Sequence, residues 1–152
     1  SKYIIKHSET VKIPDPTFKF GEFSFETRCI LKAVLDVCGK ELCILVCHMG
    51  LNESERVNAV KALCEIIDKT EMPLVLMGDF NSTPEDVVFE PLRRRLKDAA
   101  DFAERGALPT FPSDNPERKI DYIFYKGLEC TAVETVSRIY SDHLPIWAEF
   151  KI

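Results

Sequence analysis

The stretch Pro73-Leu74-Val75-Leu76-Met77-Gly78-Asp79-Phe80-Asn81-Ser82-Thr83-Pro84 constrains the chain more than any other. A short, wholly apolar run reads as a strand buried on both faces. The run stops at Gly78, and Asp79 and Asn81 follow at once. Ser82 or Thr83 then offers a helix N-cap, with Pro84 as the first helical residue. A carboxylate is thereby fixed at the carboxyl end of a buried strand, where open α/β sheets place their ligands. Taken alone, the same residues also make an ordinary turn in which Asn81 satisfies backbone donors. The rest of the chain has to decide between the two.

Upstream, a short strand at Tyr3-Ile4-Ile5 precedes a Pro14-Asp15-Pro16 loop and a Phe-rich segment from Phe18 to Phe25. From Thr27 to Val37 apolar and polar residues alternate, the mark of a half-buried strand. Gly39-Lys40 is a two-residue hairpin signal, and the return strand Leu42 to Val46 ends at Cys47-His48. Asn52 with Glu55 three residues on is a capping box. The helix behind it carries Val57, Val60, Leu63, Cys64 and Ile67 on one face and stops near Lys69-Thr70. Strand, helix, strand is a βαβ unit with a right-handed crossover. If its strands are parallel, His48 and Asp79 leave the sheet at the same edge.

Downstream, a helix is expected from Pro84 towards Phe89, broken at Pro91, resuming through Arg93-Arg94-Arg95 as a solvated face and closing at Gly106. Residues 109–116 read as a loop around Phe111. Lys119 to Tyr125 alternates, with Ile120, Tyr122 and Phe124 on one side and Asp121, Ile123 and Tyr125 on the other. An aspartate amid that much apolar surface needs a partner. A strand over about 128–136 follows, then Ser141-Asp142-His143-Leu144-Pro145 and a last strand from Ile146 to Phe150. The expected fold is α/β: a mixed sheet with helices around 54–69 and 84–104 on one face.

Composition bounds the function. A length of 152 residues makes one domain, and 45% hydrophobic residues exclude disorder. A net charge of −5 argues against a protein that blankets nucleic acid with cations. It permits a phosphate ester approached through a divalent cation, and favours small phosphoesters or lipid head groups over long nucleic acid. There is no apolar run of membrane-spanning length and no signal-peptide core. The six cysteines show no metal or redox spacing and sit mostly in apolar runs, which points to free thiols in a reducing, cytoplasmic setting.

His48, Asp79, Asn81, Asp121, Asp142 and His143 all fall at or near strand ends. Singly, each has an innocent reading: a structural histidine, an Asx turn at Asp142, an Asp121 paired with a nearby lysine. As a set they suit metal-assisted phosphoester hydrolysis, which needs an oriented water, a cation on the phosphoryl oxygens and donors for developing charge. Carboxylates and an amide offer hard oxygen ligands for Mg²⁺ or Mn²⁺. A histidine bonded to an aspartate keeps one tautomer and a stabilised cation.

Four segments, Cys47-His48-Met49, Gly78-Asp79-Phe80-Asn81, Lys119-Ile120-Asp121-Tyr122 and Ser141-Asp142-His143-Leu144-Pro145, carry a resemblance. In order and spacing, from about Thr27 onward, the chain resembles the endonuclease/exonuclease/phosphatase superfamily of metal-dependent phosphohydrolases. The resemblance implies that Asp79 orients or deprotonates the attacking water and that Asn81 holds the same group. His143, steadied by Asp121, would bond the scissile phosphate. Asp142 and Asp79 would lie at the metal. His48 would stabilise phosphoryl oxygens or the leaving group, and Arg28 would reach substrate phosphate.

Family members are usually longer, a four-layer α/β/β/α sandwich of two pseudo-equivalent halves, and their first half brings a metal-binding glutamate. Glu9, Glu22 and Glu26 stand in no matching motif. The expectation is therefore a single incomplete domain over residues 1–152, the C-terminal part of that sandwich. Its two-sided apolar strands would leave a bare sheet face, to be covered in a homodimer or by a separate N-terminal half. The alternative is a half-domain that is catalytically incompetent and acts only by association.

Overall fold

The computed structural model describes residues 2–19, 21–103 and 108–152. Five strands and a short sixth form one mixed sheet: β1 (Ile4–Lys12), β2 (Cys29–Val37), β3 (Lys40–Cys47), β4 (Leu74–Asp79), β5 (Lys97–Asp98) and β6 (Asp121–Lys126), in the order β1-β2-β3-β4-β6-β5. β3 and β4 are parallel and the other neighbours antiparallel. Strands β7 (Glu129–Thr135) and β8 (Ile146–Lys151) form a separate antiparallel hairpin.

The crossover between β3 and β4 is the helix α1 (Glu53–Asp68). It starts as expected: the Asn52 side chain and Glu55 complete a reciprocal capping box. Its buried face is Ala59, Val60, Leu63, Cys64 and Ile67, while Val57 is 46% exposed and leaves the expected stripe. No basic residue lies in its last turn; instead Lys126 Nζ of β6 donates to the carbonyls of Ile67 (2.8 Å) and Thr70 (2.7 Å).

Three local expectations need correction. The β2–β3 turn is Cys38-Gly39, with φ of 54° and 86°, and Lys40 already pairs with Val37. β1 runs to Lys12 because it lies antiparallel along all of β2, which supplies its backbone partners where side-chain pattern does not. The helix expected over 84–104 is absent among the described residues. Asp86, not Ser82 or Thr83, caps a single 3₁₀ turn at Val87–Phe89 by accepting from Val88 N. A four-residue helix, α2 (Glu90–Arg93), follows with Pro91 in its first turn, and then β5 and a second 3₁₀ turn at Ala99–Phe102. Residues 104–107, and with them the expected stop at Gly106, lie outside the described residues. The basic run is only partly solvated: Arg95 bonds Asp68 at 2.7 and 2.9 Å, pinning α2 to α1.

One core lies between sheet and helices. It joins Leu45, Leu74 and Leu76 to Leu63 and Ile67 of α1, and adds Phe80, Phe89, Tyr122 and Phe124 with ring centroids 5.2–5.6 Å apart. Truncating one of these rings costs about 3–5 kcal/mol, so they set the frame on which the strand ends rest. On the other face, Val75, Ile123 and Tyr125 pack against Cys130, Val133, Ile146, Ala148 and Phe150 of the β7–β8 hairpin. The bare face is therefore smaller than expected, because the chain folds its own hairpin over part of it. What stays open is the β1–β3 side, where Leu31 (47% exposed) pairs with Val46 (38%) and Ile5 is also exposed. All six cysteines are free, and Cys43, Cys47, Cys64 and Cys130 are buried. Among the described residues no helix is long and apolar enough to cross a membrane.

Candidate active site

The parallel β3–β4 pair brings the ends of both strands to one edge, and the close approach is made by Gly78. Its φ is 143°, and a Cβ there would sit 1.9 Å from the carbonyl oxygen of Cys47. Just beyond, Met49 N donates to Asp79 O (2.9 Å), and Phe80 N donates to Ile120 O (2.8 Å), tying β4 to the segment that enters β6. Asn81 takes a left-handed backbone, φ 49°, which asparagine tolerates better than most residues. From there its N–H donates to Asp79 Oδ1 (2.8 Å) and its side-chain amide to Met49 O (2.8 Å). Asn81 thus works as a strap across the two strand ends.

Four side chains meet at this edge. His143 Nδ1 and Asp121 Oδ2 are 2.7 Å apart, and His143 Nε2 lies 3.9 Å from Asp79 Oδ2. His48 Nε2 approaches the same Asp79 oxygen at 3.3 Å. Ligand atoms of Asp79, Asp121 and His143 all lie within 4.8 Å of one another. With Asp121 ionised, His143 donates through Nδ1, which leaves Nε2 facing outward towards Asp79.

Electrostatics follow from this crowding. Burial pushes the Asp79 carboxyl above its ordinary range, helped by the charge of Asp121 and offset by the Asn81 N–H and by His48 and His143. For His143, burial acts against the imidazolium but is outweighed by the hydrogen bond and charge of Asp121, with Asp79 and Asp142 adding to it. Its pKa ends above the ordinary histidine value.

Two expected residues stand apart. Asp142 is exposed and its backbone carbonyl accepts from Ser113 N (2.8 Å); its carboxylate is outside the three-residue cluster. Arg28 pairs with Glu26 at 2.6 Å and lines a crevice with Pro14, Gly50 and Glu55 that none of the four clustered side chains lines. The lysine considered for Asp121 is taken elsewhere: Lys119 is buried and bonds Asp98 at 2.8 Å.

The partner of Asp121 that sequence reading missed is Thr110. It is fully buried and its hydroxyl donates to Asp121 Oδ2 at 2.5 Å. Leu144 N donates to Thr110 O (2.8 Å), so one residue holds both the aspartate and the segment bearing His143. Phe111, next along, places its ring 4.9 Å from that of His143. Nothing local in Pro109-Thr110-Phe111 signals either contact; they arise when the loop closes on β6.

The profile of the Endonuclease/Exonuclease/phosphatase family matches residues 10–143. The chain belongs to this family. Among curated proteins, the uncharacterized protein YbhP of Escherichia coli K12 is 26% identical over 162 aligned positions, covering 100% of this chain and 61% of its own length. Among solved structures, the endonuclease/exonuclease/phosphatase from Bacteroides vulgatus superposes with a TM-score of 0.83 at 24% identity, over 99% of this chain and 66% of that one. The Bacteroides thetaiotaomicron mannosyl-6-phosphatase gives 0.81 at 18% over 99% and 67%. The human Nocturnin catalytic domain with bound sulfate gives 0.74 at 20% over 98% and 60%. This family member thus spans about three-fifths of the curated relative's length, and the structural likenesses establish its α/β fold. The family as a whole comprises phosphatases and nucleases, so the acidic, histidine-bearing edge lies on a fold used for phosphoester chemistry.

Proposed function

We propose that the chain carries the water-orienting and phosphate-contacting side of a divalent-metal-dependent phosphohydrolase. The observation that carries this reading is the run Asp121–His143–Asp79–His48, at 2.7, 3.9 and 3.3 Å, on one edge of the sheet. Two carboxylates and an imidazole within 4.8 Å suit a cation that needs only one or two protein carboxylates and keeps several waters. Asp79 would hold Mg²⁺ or Mn²⁺ from this cluster, with exposed Asp142 as a second oxygen donor beside His143. Such a cation, when bound, neutralises charge on the phosphoryl oxygens.

The chain's own residues do the rest. Asp79, made more basic by burial and by Asp121, orients a water and takes its proton, while Asn81 keeps that carboxylate in place. His143, its imidazolium favoured by the bond to Asp121, donates from Nε2 to a phosphoryl oxygen. His48, more exposed than the others, is placed to meet the leaving group. The second reading, a half-domain that acts by association only, is favoured by one fact: among the described residues the clustered ligands include no glutamate.

The test is hydrolysis of bis(4-nitrophenyl) phosphate and 4-nitrophenyl phosphate by the full-length protein, with Mg²⁺, with Mn²⁺ and with EDTA. Turnover of either ester that EDTA abolishes and Asp79→Asn suppresses is the expected result. No turnover by the full-length protein with either metal overturns the hydrolase reading in favour of the second.

A further inference from the structure

We propose that Arg118 is a specificity-determining residue that binds a second phosphate of the substrate, adjacent to the scissile one; this rests on the phosphoester reading above. The Arg118 guanidinium carbon lies 4.8 Å from the centroid of Phe111, and the Phe111 ring lies 4.9 Å from that of His143. Guanidinium and imidazole are thus no farther apart than these two distances laid end to end. A second phosphate extending from His143 towards Phe111 would meet the Arg118 guanidinium.

The arrangement is fixed by the backbone. Phe111 and Arg118 form an antiparallel bridge, with Phe111 N donating to Arg118 O (3.1 Å) and Arg118 N to Phe111 O (2.9 Å). Thr110 N donates to the same Arg118 carbonyl at 2.9 Å, and the Thr110 hydroxyl holds Asp121. Arg118 and the His143–Asp121 pair are therefore parts of one braced unit.

Among the described residues Arg118 also takes part in no ion pair. Several other cations have carboxylate partners: Arg28 has Glu26, Lys119 has Asp98 and Arg95 has Asp68. The adjacent Glu117 accepts from Asn115 (2.6 Å), and among the described residues Arg118 has no carboxylate partner. Its guanidinium carbon lies over the Phe111 ring, and the residue is exposed. A planar fork pre-oriented in this way suits a bidentate contact to phosphate.

The experiment uses the full-length protein with Mg²⁺ and the 4-nitrophenyl ester of thymidine 5′-phosphate, with and without a 3′-phosphate. Wild type should prefer the 3′-phosphorylated ester. Arg118→Gln should raise KM for that ester roughly tenfold to a hundredfold, the range for a hydrogen bond to a charged group, with kcat and the plain ester's KM unchanged. Arg118→Lys, which keeps the charge and loses the fork, should recover part of the preference. Equal KM changes on both esters, or none, overturn the proposal. If wild type hydrolyses neither ester, the phosphoester reading fails separately, and calorimetric binding of thymidine 3′,5′-bisphosphate decides on Arg118. Affinity lost in Arg118→Gln and partly restored in Arg118→Lys supports the subsite, while equal affinity in all three proteins overturns it.

Discussion

The point where a Gly78 Cβ would stand is 1.9 Å from the carbonyl oxygen of Cys47. That contact sets how closely the strand end bearing Asp79 approaches the one bearing His48. With φ at 143°, Gly78→Ala meets both a backbone clash and a conformation closed to L side chains. We expect a loss of at least about 3 kcal/mol, or roughly 10 °C in melting temperature, on the scale for a domain of this size. Thermal denaturation followed by circular dichroism measures it, and a shift under about 3 °C would contradict the geometry.

Asp79→Ala and His143→Ala in the full-length protein should each reduce kcat by roughly 10²–10⁴-fold, the range for a positioned acid or base. Since both act on the reacting atoms, KM should move far less than kcat. Losses of only a few-fold in both variants would assign the chemistry to other residues.

Thr110→Val keeps shape and removes the hydroxyl that donates to Asp121. Leaving a buried acceptor one donor short costs about 1–3 kcal/mol, so melting should fall by roughly 3–10 °C. Turnover should drop as well, because Asp121 and the His143 segment share this residue. Unchanged melting and turnover would mean that the bond contributes nothing.

The pKa of His143 is raised in the folded state, so protonation favours the fold. The sign follows: the stability contribution is full below the unfolded value of about 6.5 and is lost as pH rises through the higher folded value. Asp121→Asn removes the main raising influence, so His143 should titrate lower and this loss of stability with pH should weaken. Imidazole proton chemical shifts against pH, measured in EDTA, follow it directly. A His143 that titrates identically in both proteins would rule out Asp121 as the cause.

The open pair Leu31 and Val46 gives a test of what covers the sheet. Leu31→Glu combined with Val46→Glu should leave the chain of residues 1–152 within about 2 °C of its melting point, as surface changes do. A fall of roughly 10 °C or more would instead show that another layer buries the pair and leaves two charges unpaired. Sedimentation equilibrium shows whether a second copy is that layer.

The parts of the fold that were legible were those with local causes. The capping box at Asn52 and Glu55, the two-sided apolar strands and the alternation around Asp121 are each written within a few residues. His48 and Asp79 were legible as neighbours because the parallel strands of a βαβ unit end at one edge, and Asp121 joins them because antiparallel β6 begins there. Thr110 was not, since its partner depends on how a loop closes against β6. The helix after Pro84 failed because Asp86 captures Val88 N and turns the chain before a second helical turn can form. The β2–β3 turn was misplaced by one residue because Cys38 adopts positive φ, which no sequence preference announces.

Lys126 has a consequence for how the chain emerges during synthesis. The terminal carbonyls of α1 receive their cation from a residue 59 positions beyond Ile67, and β4 receives its antiparallel neighbour from the same strand. Until β6 has left the ribosome, the helix end lacks that cation and one edge of β4 is unpaired. The crossover unit thus reaches its final stability late, well after its own residues have been made. A translational pause ahead of residue 121 would leave that apolar edge open to pairing with other nascent chains.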